Sequence, residues 1–532
     1  MARFLIASLE ILIFSGLIVT MRCENYRDVF VGGGIYFTDA DCYSRMTRAR
    51  MCLENPGRII RHHSFENYPA GTTPHTTAPL DYLIAALAGA MTLITSRALD
   101  WAGAIVSPLL ALVTGWFVWW WSWRSRTRYR GALLLLYAVS PILVHGTELG
   151  RPDHQSLLLA LVTVALCAEW TLLSGRWEEV GTPRSLPHWS LVSGAAWGLA
   201  LWVSFYEPLI LLSVVVISQL LFARQNFAER HRLIGWALCG GIVLIALAIE
   251  QRLPVWPGTG LNPIFSNWAR TIGELSHVPV DAPIWLRWAG LLVIALPALL
   301  WIAIARIRTM PSFLAALLVA SFTLTIWQAR WAYFFVAIFA LSLPALLAIF
   351  RNQLAGWIVF AISLFPILAD WDEKLWPNEG QNALILERRA EAVGWRQTAM
   401  QLAAQTEGPF LAPWWWSPAV AYWSGQPGVA GSSHESLDGI EQSARFFLAA
   451  DPETARAILA KTKAAWVLAY DADRTVSNSA LLLGLPPPEN SLGRVLDRMP
   501  AQSPPFLQLT SQNAACKLFR VQIFQEIEDF PR

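Results

Sequence analysis

Apolar runs long enough to cross a lipid bilayer recur along the chain as far as residue 369, and they restrict the fold more than any other feature. A membrane-spanning helix needs about 20 consecutive apolar residues, and the run 98–121 meets this requirement with Asp100 as its only charged residue. The 532 residues are 55% hydrophobic and 15% charged, whereas a soluble chain would carry about 25% charged residues. The sequence therefore predicts a polytopic α-helical membrane protein.

The lengths of these runs predict about eleven spans, and at most about thirteen. The expected spans are 4–20, 98–121, 131–145, 155–173, 189–205, 208–222, 233–250, 285–304, 312–327, 331–350 and 354–369. The first could be a signal peptide, but no small-residue cleavage site follows it and more spans come later, so we interpret it as an uncleaved span. The run 80–96 is shorter than a span, and we expect it to lie along the membrane surface.

Basic residues in the loops predict the orientation. The cluster Arg124–Arg130 is the densest basic loop between apolar runs, and such loops stay in the cytoplasm. The other loops on that side are also basic, with Arg176 and Arg184, Arg224, Arg230 and Arg232, Arg306 and Arg308, and Arg351. The outer face then carries 21–97, 146–154, 206–207, 251–284, 328–330 and everything after 370. We expect a multi-pass protein of a bacterial inner membrane, with these segments in the periplasm or outside the cell.

The composition changes at Asp370, where the apolar runs give way to charged helical patterns and short β-like runs. The helical segments are 386–405 and 440–463, and the strand-like runs are 464–470 and 517–521. This alternation predicts a mixed α/β domain. We therefore divide the chain into a transmembrane domain, residues 1–369, and an extracytoplasmic domain, residues 370–532.

Charge and aromatic content indicate the partners of the chain. The net charge of +2 is spread over the loops, so it indicates no nucleic-acid partner. Many of the 28 tryptophans lie at the ends of apolar runs, where indole rings anchor proteins in the lipid headgroup region. Membrane lipids are the expected partner of these rings.

Four polar features fall on the expected outer face, and three of them carry carboxylates. They are Asp39 with Asp41, the segment Glu148–Gln155, the segment Ala269–Glu274, and Gln328–Arg330. Carboxylates from separate segments suit a hard divalent cation such as Mg²⁺ or Mn²⁺, and an arginine beside lipid suits a phosphate. The pattern predicts a metal-dependent active site that binds a lipid-linked phosphate or pyrophosphate, whose charge the cation would stabilise.

Each of these residues also has a structural interpretation. Asp39 and Asp41 could cap a helix whose first turns hold Arg45, Arg48 and Arg50, and we expect these arginines to brace the loop against lipid headgroups. Asp153 follows Pro152 and could also begin a helix. Glu274 could be solvated in its loop, and Arg330 could extend to the membrane interface. Cys42 and Cys52 share one loop and could form a disulfide if it faces an oxidising compartment.

Five short motifs in the same order resemble the catalytic subunit of oligosaccharyltransferase, a multi-span glycosyltransferase of the GT-C class with a C-terminal outer domain. Asp41-Cys-Tyr-Ser-Arg-Met-Thr-Arg-Ala-Arg50 resembles the aspartate motif of its first outer loop, and Gly150-Arg-Pro-Asp-His-Gln155 resembles its second acidic motif. Thr271-Ile-Gly-Glu274 matches a Thr-Ile-x-Glu motif, and Arg330 resembles an arginine beside the donor pyrophosphate. Pro413-Trp-Trp-Trp-Ser-Pro418 is placed like the Trp-Trp-Asp-Tyr-Gly motif.

The resemblance implies a role for each matching position. Asp41, Asp153, Gln155 and Glu274 would hold or surround Mn²⁺ or Mg²⁺, with His154 beside them and Asp39 in a supporting position. Asp41 and Glu274 would also act in catalysis by orienting the acceptor nucleophile, and Arg330 would bind the donor pyrophosphate. Trp414, Trp415 and Trp416 would line the acceptor site. The implied reaction is inverting transfer of a glycan from a polyprenyl-linked donor to a polypeptide or other acceptor.

Two departures from the family pattern leave alternatives open. Gln155 stands where an acidic residue or histidine is usual, and Trp416-Ser-Pro418 replaces the Asp-Tyr-Gly that recognises an Asn-x-Ser/Thr acceptor. An indole only donates hydrogen bonds, so Trp416 cannot accept one from the acceptor. A GT-C enzyme that uses a polyprenyl-monophosphate sugar to modify a lipid, polymer or protein hydroxyl is the second hypothesis. A transporter is the third, although transporters gather ionisable residues near the bilayer midplane.

Overall fold

The computed structural model describes residues 2–174, 186–227, 229–253, 263–307 and 310–522. Three of the basic loop residues used above, Arg176, Arg184 and Arg308, lie outside these ranges. The helices of the first 375 residues are α1 (Ala2–Arg22), α2 (Tyr26–Val29), α3 (Ala40–Glu54), α4 (Ala78–Met91), α5 (Ala98–Arg124), α6 (Arg130–Val139), α7 (Pro141–His145), α8 (His154–Ser174), α9 (Leu186–Val203), α10 (Tyr206–Phe222), α11 (Arg224–Phe227), α12 (Arg230–Glu250), α13 (Pro263–Ala269), α14 (Ile284–Ala289), α15 (Leu296–Trp301), α16 (Ser312–Trp327), α17 (Ala332–Leu347), α18 (Gln353–Ser363) and α19 (Phe365–Leu375). A hairpin of β1 (Phe30–Val31) and β2 (Gly34–Ile35) precedes α3.

Six helical segments in the described ranges are long and apolar enough to cross a membrane: Leu5–Arg22, Ala98–Arg124, His154–Leu173, Arg230–Glu250, Ala329–Leu347 and Gln353–Leu375. Others are shorter than the continuous spans we expected. The run 131–145 breaks at Ser140, because Pro141 cannot continue the preceding helix. The run 285–304 breaks at Gly290, which has a φ of 78° that only glycine adopts freely. The run 80–96 forms α4, which at 14 residues is about 21 Å long and too short to span.

A buried polar cluster joins three apolar helices. The carboxylate of Glu169 in α8, which is fully buried, accepts hydrogen bonds from Arg232 in α12 at 2.7 and 3.1 Å and from Gln219 in α10 at 2.6 Å. Gly194 of α9 and Gly235 of α12 bring their helices so close that a Cβ on Gly194 would lie 2.1 Å from the carbonyl oxygen of Gly235. In lipid, burial of apolar surface does not drive helices together. Hydrogen bonds between polar side chains and the close packing of small residues hold them together instead.

Replacing Glu169 with alanine is expected to lower the free energy of unfolding by about 3–5 kcal/mol, because it leaves the buried Arg232 charge without an acidic partner, with the hydrogen bond to Gln219 remaining. Thermal unfolding of the detergent-solubilised protein measures the loss. Glu441→Ala is the matched control, since it breaks an exposed i,i+4 pair with Arg445 worth about 0.5 kcal/mol or less. Equal effects of the two substitutions would contradict this account of the cluster.

The part of the chain after residue 375 is a mixed α/β structure, as predicted. Its helices are α20 (Glu379–Ala403), α21 (Ser417–Ser424), α22 (Leu437–Leu448), α23 (Pro452–Thr462), α24 (Ala472–Leu483) and α25 (Leu492–Arg498), and its strands are β3 (Phe410–Leu411), β4 (Trp466–Tyr470), β5 (Leu507–Gln512) and β6 (Cys516–Val521). The sheet order is β3-β4-β6-β5, with β3 parallel to β4 and the other pairs antiparallel. The predicted helix 440–463 divides into α22 and α23, because Asp451 caps a new helix ahead of Pro452.

The first outer loop packs directly against this C-terminal part. The rings of Phe37 and Tyr43 contact the rings of Tyr422 and Trp423 in α21, with centroids 4.9–6.0 Å apart. Farther along the loop, Asn67 Oδ1 accepts a hydrogen bond from the backbone N–H of Gly439 at 2.8 Å. These contacts fix the two sides of the cleft described below.

Helix α3 corrects two expectations. Cys42 and Cys52 are ten positions apart in this one helix, so about 15 Å of helical rise separates them; both thiols are free. The arginines do not extend towards lipid. Arg45 and Arg48 are buried and both pair with Asp81 of α4, at 2.7 and 3.3 Å, while Arg50 lies 4.2 Å from the centroid of the Tyr422 ring. The positive charges brace α3 against protein rather than against headgroups.

Candidate active site

Arg151 brings three of the sequence motifs together. Its guanidinium lies 3.2 Å from Asp39, 3.7 Å from Glu148 and 3.1 Å from Glu274. Burial acts to lower the pKa of Arg151, but the surrounding carboxylates, Asp39 foremost, raise it well above its usual value. The first outer loop, the segment before α8 and the loop after α13 therefore meet around one cation. Sequence reasoning did not assign Arg151 a role, although it belongs to the second motif.

Asp39 and Asp41 have different positions at the start of α3. Asp39 is the N-cap, and its carboxylate accepts a hydrogen bond from the backbone N–H of Cys42 at 2.9 Å, which is the capping role that the sequence allowed. Asp41 lies in the first turn and exposes its side chain. The carboxylate of Asp39 is thus already bound by the backbone N–H of Cys42 and by Arg151, whereas the carboxylate of Asp41 is available to a ligand.

Asp41 lines a small cleft of about 40 Å³ that also carries Asp153, His154, His75 and Glu435. Protein around the cleft limits the hydration of Asp41, and this desolvation is the main cause that raises its pKa well above the usual value. The charge of Asp39 adds to the effect, and the hydroxyl of Ser432 opposes it by hydrogen bonding. A cation in the cleft would relieve this concentration of negative charge.

Asp153 lies directly before α8, at the mouth of the cleft. Its Oδ1 accepts hydrogen bonds from the backbone N–H and the ring Nδ1 of His154, both at 2.7 Å. Burial acts to raise the pKa of Asp153, but His154 and Arg151 hold it well below the usual range. The next residue, Gln155, is buried, and neither its amide oxygen nor its amide nitrogen has a hydrogen-bond partner.

Glu274 is anchored through one of its two carboxylate oxygens. Its Oε1 accepts hydrogen bonds from Arg151 at 3.1 Å and from the hydroxyl of Tyr333 at 3.0 Å. The Tyr333 hydroxyl in turn lies 2.8 Å from Nδ1 of His145. Glu274 is therefore anchored rather than freely solvated, and its Oε2 is the atom that remains for a substrate or a metal.

Arg330 precedes α17 and forms an ion pair with Glu207 in the first turn of α10. Glu207 is 1% exposed, and its other carboxylate oxygen accepts a hydrogen bond from Ser204 at 2.6 Å. The guanidinium of the half-buried Arg330 is thus paired with the buried carboxylate of Glu207. A ligand bound by Arg330 would share the guanidinium with this carboxylate. This partner could not be predicted from the sequence, because Glu207 lies 123 positions earlier at the end of an apolar run.

The predicted metal ligands fit a hard divalent cation in chemistry, although they are not gathered into one compact set. Across the described ranges, the only group of three His, Cys, Asp or Glu ligand atoms within 4.8 Å of one another is that of His75, His434 and Glu435. Asp41 and Asp153 nevertheless line one cleft, and Gln155 has a buried amide oxygen without a partner. Carboxylate and amide oxygens are suitable ligands for Mg²⁺ or Mn²⁺, so Asp41, Asp153 and Gln155 are the residues that would hold the ion.

The three tryptophans of the fifth motif lie in aromatic contacts. Trp416 stacks on Trp395 of α20, with centroids 5.1 Å apart and planes 21° apart. Trp414 packs edge-on against Trp415 and against Trp268 of α13, at 5.8 and 6.4 Å. All three are half-buried, and none of their indole N–H groups has a hydrogen-bond partner. Their role in binding an acceptor stays a prediction.

Glu148 makes stability depend on pH near neutrality. Burial, opposed by Arg151, raises its pKa from 4.5 to about 7. A carboxyl whose pKa is raised by folding loses stability as pH rises through the interval between the two values. Glu148→Gln removes this loss, so we expect it to raise the free energy of unfolding at pH 8 by about 1–3 kcal/mol and to change little at pH 4. Thermal unfolding at both pH values measures the difference, and an equal shift at both would contradict the assignment.

No protein-family model and no curated protein matches this chain, but several solved structures resemble it. The Archaeoglobus fulgidus oligosaccharyltransferase tethered to an acceptor peptide containing the NVT sequon has a TM-score of 0.67 and 15% identity, over 90% of this chain and 71% of its own. AglB from the same organism, with an inhibitory peptide and a dolichol-phosphate, has a TM-score of 0.68 and 14% identity, over 90% and 70%. ArnT from Cupriavidus metallidurans bound to undecaprenyl phosphate has a TM-score of 0.56 and 12% identity, over 97% and 98%.

The chain has the GT-C fold. This result confirms the predicted fold class, a polytopic helical membrane protein with a mixed α/β structure after its last apolar helix. At identities of 12–15% the likeness concerns the GT-C fold alone. The chemistry of this chain therefore depends on the residues in its own cleft.

Proposed function

We propose that the protein is a membrane glycosyltransferase that moves a glycan from a polyprenyl-pyrophosphate donor to an acceptor on the outer face of the membrane. The observation that carries the proposal is the meeting of three motif segments at Arg151, which contacts both Asp39 and Glu274 beside the cleft lined by Asp41 and Asp153. The GT-C fold supports it, because the solved oligosaccharyltransferase and ArnT structures share that fold.

Residues in the cleft and next to it have separate tasks in an inverting transfer. The acceptor nucleophile forms a bond to the anomeric carbon as the bond from that carbon to the donor phosphate breaks, and the lipid pyrophosphate leaves. Asp41 and the free Oε2 of Glu274 orient the nucleophile and take up its proton. Arg330 contacts the phosphate of the donor. Asp41, Asp153 and Gln155 would hold a divalent cation, which would supply positive charge for the leaving group when bound.

The acceptor is proposed to be a polypeptide, since the similar A. fulgidus structure holds an acceptor peptide with an NVT sequon. Trp416 cannot accept a hydrogen bond from a sequon hydroxyl, and its ring faces Trp395. Recognition of the acceptor must therefore use other groups than this motif. Peptides with and without a sequon belong in the same assay for that reason.

A polyprenyl-monophosphate donor is the second candidate, favoured by the ion pair of Arg330 with Glu207. This pair neutralises one positive charge at the expected phosphate site, which suits a less charged leaving group. ArnT, whose structure holds undecaprenyl phosphate, also matches nearly all of this chain and of its own. The product in that case would be a modified lipid, polymer or protein hydroxyl.

Purified protein tests both candidates when incubated with Mn²⁺, a labelled lipid-linked glycan and peptide acceptors. The first proposal predicts labelled peptide from the pyrophosphate donor and none after removal of divalent ions with a chelator. Transfer from the monophosphate donor alone would replace it with the second candidate. Transfer that continues at full rate in the chelator would contradict the metal dependence.

The proposed setting is a bacterial inner membrane with the cleft facing the periplasm. The basic residues of the loops around Arg124–Arg130 support this orientation. Cysteine labelling in intact cells tests it: a cysteine introduced at exposed Asp281 should react with a membrane-impermeant reagent, and one introduced at exposed Arg124 should not. The reverse pattern would contradict the orientation.

A further inference from the structure

Two histidines and a glutamate from different parts of the chain converge at the cleft that Asp41 and Asp153 also line. His75 belongs to the first outer loop, whereas His434 and Glu435 open a one-turn 3₁₀ helix, His434–Ser436, in the C-terminal part. The rings of His75 and His434 have centroids 4.9 Å apart. Oε1 of Glu435 lies 2.5 Å from Nδ1 of His75, and one ligand atom from each residue lies within 4.8 Å of the other two.

The side chains around this cluster also suit a bound ion. The hydroxyl of Ser433 donates a hydrogen bond to the second carboxylate oxygen of Glu435, which fixes the plane of that carboxylate. His63 and Glu66 line the same cleft and are 1% and 3% exposed. Nε2 of His63 and Oε1 of Glu66 lie 3.7 Å apart, which is too long for a hydrogen bond, and neither these two atoms nor Nδ1 of His63 has a hydrogen-bond partner. Buried polar groups without partners are costly, so their presence in this wall indicates a polar occupant of the cleft.

We propose that His75, His434 and Glu435 bind a zinc ion separate from the cation proposed at Asp41 and Asp153. Two imidazoles with one carboxylate are a typical three-residue zinc set, which leaves a fourth position for water or an anion. Imidazole favours zinc and similar transition metals, whereas the all-oxygen set around Asp41 favours Mg²⁺ or Mn²⁺. The difference in ligand chemistry is what makes the two sites distinguishable.

The zinc ion would join the first outer loop to the C-terminal part across the cleft. The two segments already meet nearby, where Asn67 accepts a hydrogen bond from the backbone N–H of Gly439 and Ser436 donates one to Glu66 at 3.4 Å. A metal ion bound by both His75 and His434 would add a further link to these contacts and would hold this wall of the cleft at a fixed width. The inference goes beyond the proposed transfer reaction and does not depend on it.

Zinc titration of the purified full-length protein tests the proposal without any substrate. After chelation and removal of the chelator, the wild type should bind one zinc ion tightly and unfold at a higher temperature with it. His434→Ala and Glu435→Gln should weaken this binding by more than the about 10–100-fold seen when a supporting residue is changed. Glu435→Gln keeps an oxygen that can accept the hydrogen bond from the backbone N–H of His75, at 2.5 Å in the wild type. We therefore expect this variant to fold normally, so that weaker zinc binding reports the loss of a ligand.

Three matched variants are expected to keep the tight zinc ion. Asp41→Asn and Asp153→Asn alter only the carboxylate site, and His277→Ala removes an exposed histidine from a later outer loop. Absence of tight zinc binding in the wild type would overturn the proposal. So would loss of zinc in Asp41→Asn with retention in His434→Ala, because the ion would then belong to the carboxylate site. A protein that binds zinc as described but transfers no glycan would overturn only the proposed function.

Discussion

Replacing Asp41 with asparagine is expected to reduce kcat/KM for glycan transfer by about 10²–10⁴-fold, the usual contribution of a positioned acid or base. Asparagine has nearly the same shape, but it can neither take a proton nor place a negative charge on a cation. The raised pKa of Asp41 shows that its charged form is disfavoured by the fold. The neutral variant should therefore unfold at the same temperature as the wild type or a higher one.

Asp281→Asn is the matched control for this substitution, because Asp281 is an exposed aspartate in the loop between α13 and α14. It should leave both the transfer rate and the unfolding temperature unchanged. Initial rates at several donor concentrations, measured with labelled lipid-linked glycan, give kcat/KM for each variant. Equal rates for Asp41→Asn and Asp281→Asn would show that Asp41 takes no part in the reaction.

Replacing Arg330 with alanine is expected to have two separable effects. The first is a loss of about 3–5 kcal/mol in the free energy of unfolding, because Glu207 is left as a buried charge. The second is weaker donor binding, by about 10–100-fold, since a hydrogen bond to a charged group contributes about 1.5–3 kcal/mol. A substitution with both effects is ambiguous when it is tested alone.

A second substitution separates the two effects. Glu207→Gln removes the buried charge and keeps an oxygen for the hydrogen bond with Ser204, so the double variant Arg330→Ala, Glu207→Gln should regain most of the stability. It should not regain donor binding. Thermal unfolding and the KM for the donor are the two measurements. Recovery of both in the double variant would show that Arg330 acts only on folding and does not contact the donor.

The sequence predicted those features that depend on local pattern. Asp39 caps α3, and the strands 464–470 and 517–521 appear as β4 and β6, because capping residues and β-branched or aromatic runs act within a few positions. The sequence also predicted that Asp39 and Glu274 lie on the same side of the membrane, because successive loops alternate between its two sides. In the structure both carboxylates contact Arg151.

Features that depend on distant partners could not be predicted. Arg45 and Arg48 look like headgroup anchors in the sequence, but Asp81 binds them inside the protein. Arg330 looks like a free cation, and Glu207 neutralises it across 123 positions. His75 and His434 carry no common motif, since they approach each other only after the first outer loop packs on α21 and α22. Single-sequence reasoning finds charged side chains, whereas the tertiary fold decides which of them remain without a partner.

The double variant Asp41→Ala, Glu274→Ala tests whether these two carboxylates form the active site. The measurement is the yield of labelled product after prolonged incubation of folded protein with Mn²⁺, the lipid-linked glycan donors and the acceptor peptides. The account predicts product from the wild type and from Asp281→Asn, and none above background from the double variant. Undiminished product from a correctly folded double variant would contradict the proposed site.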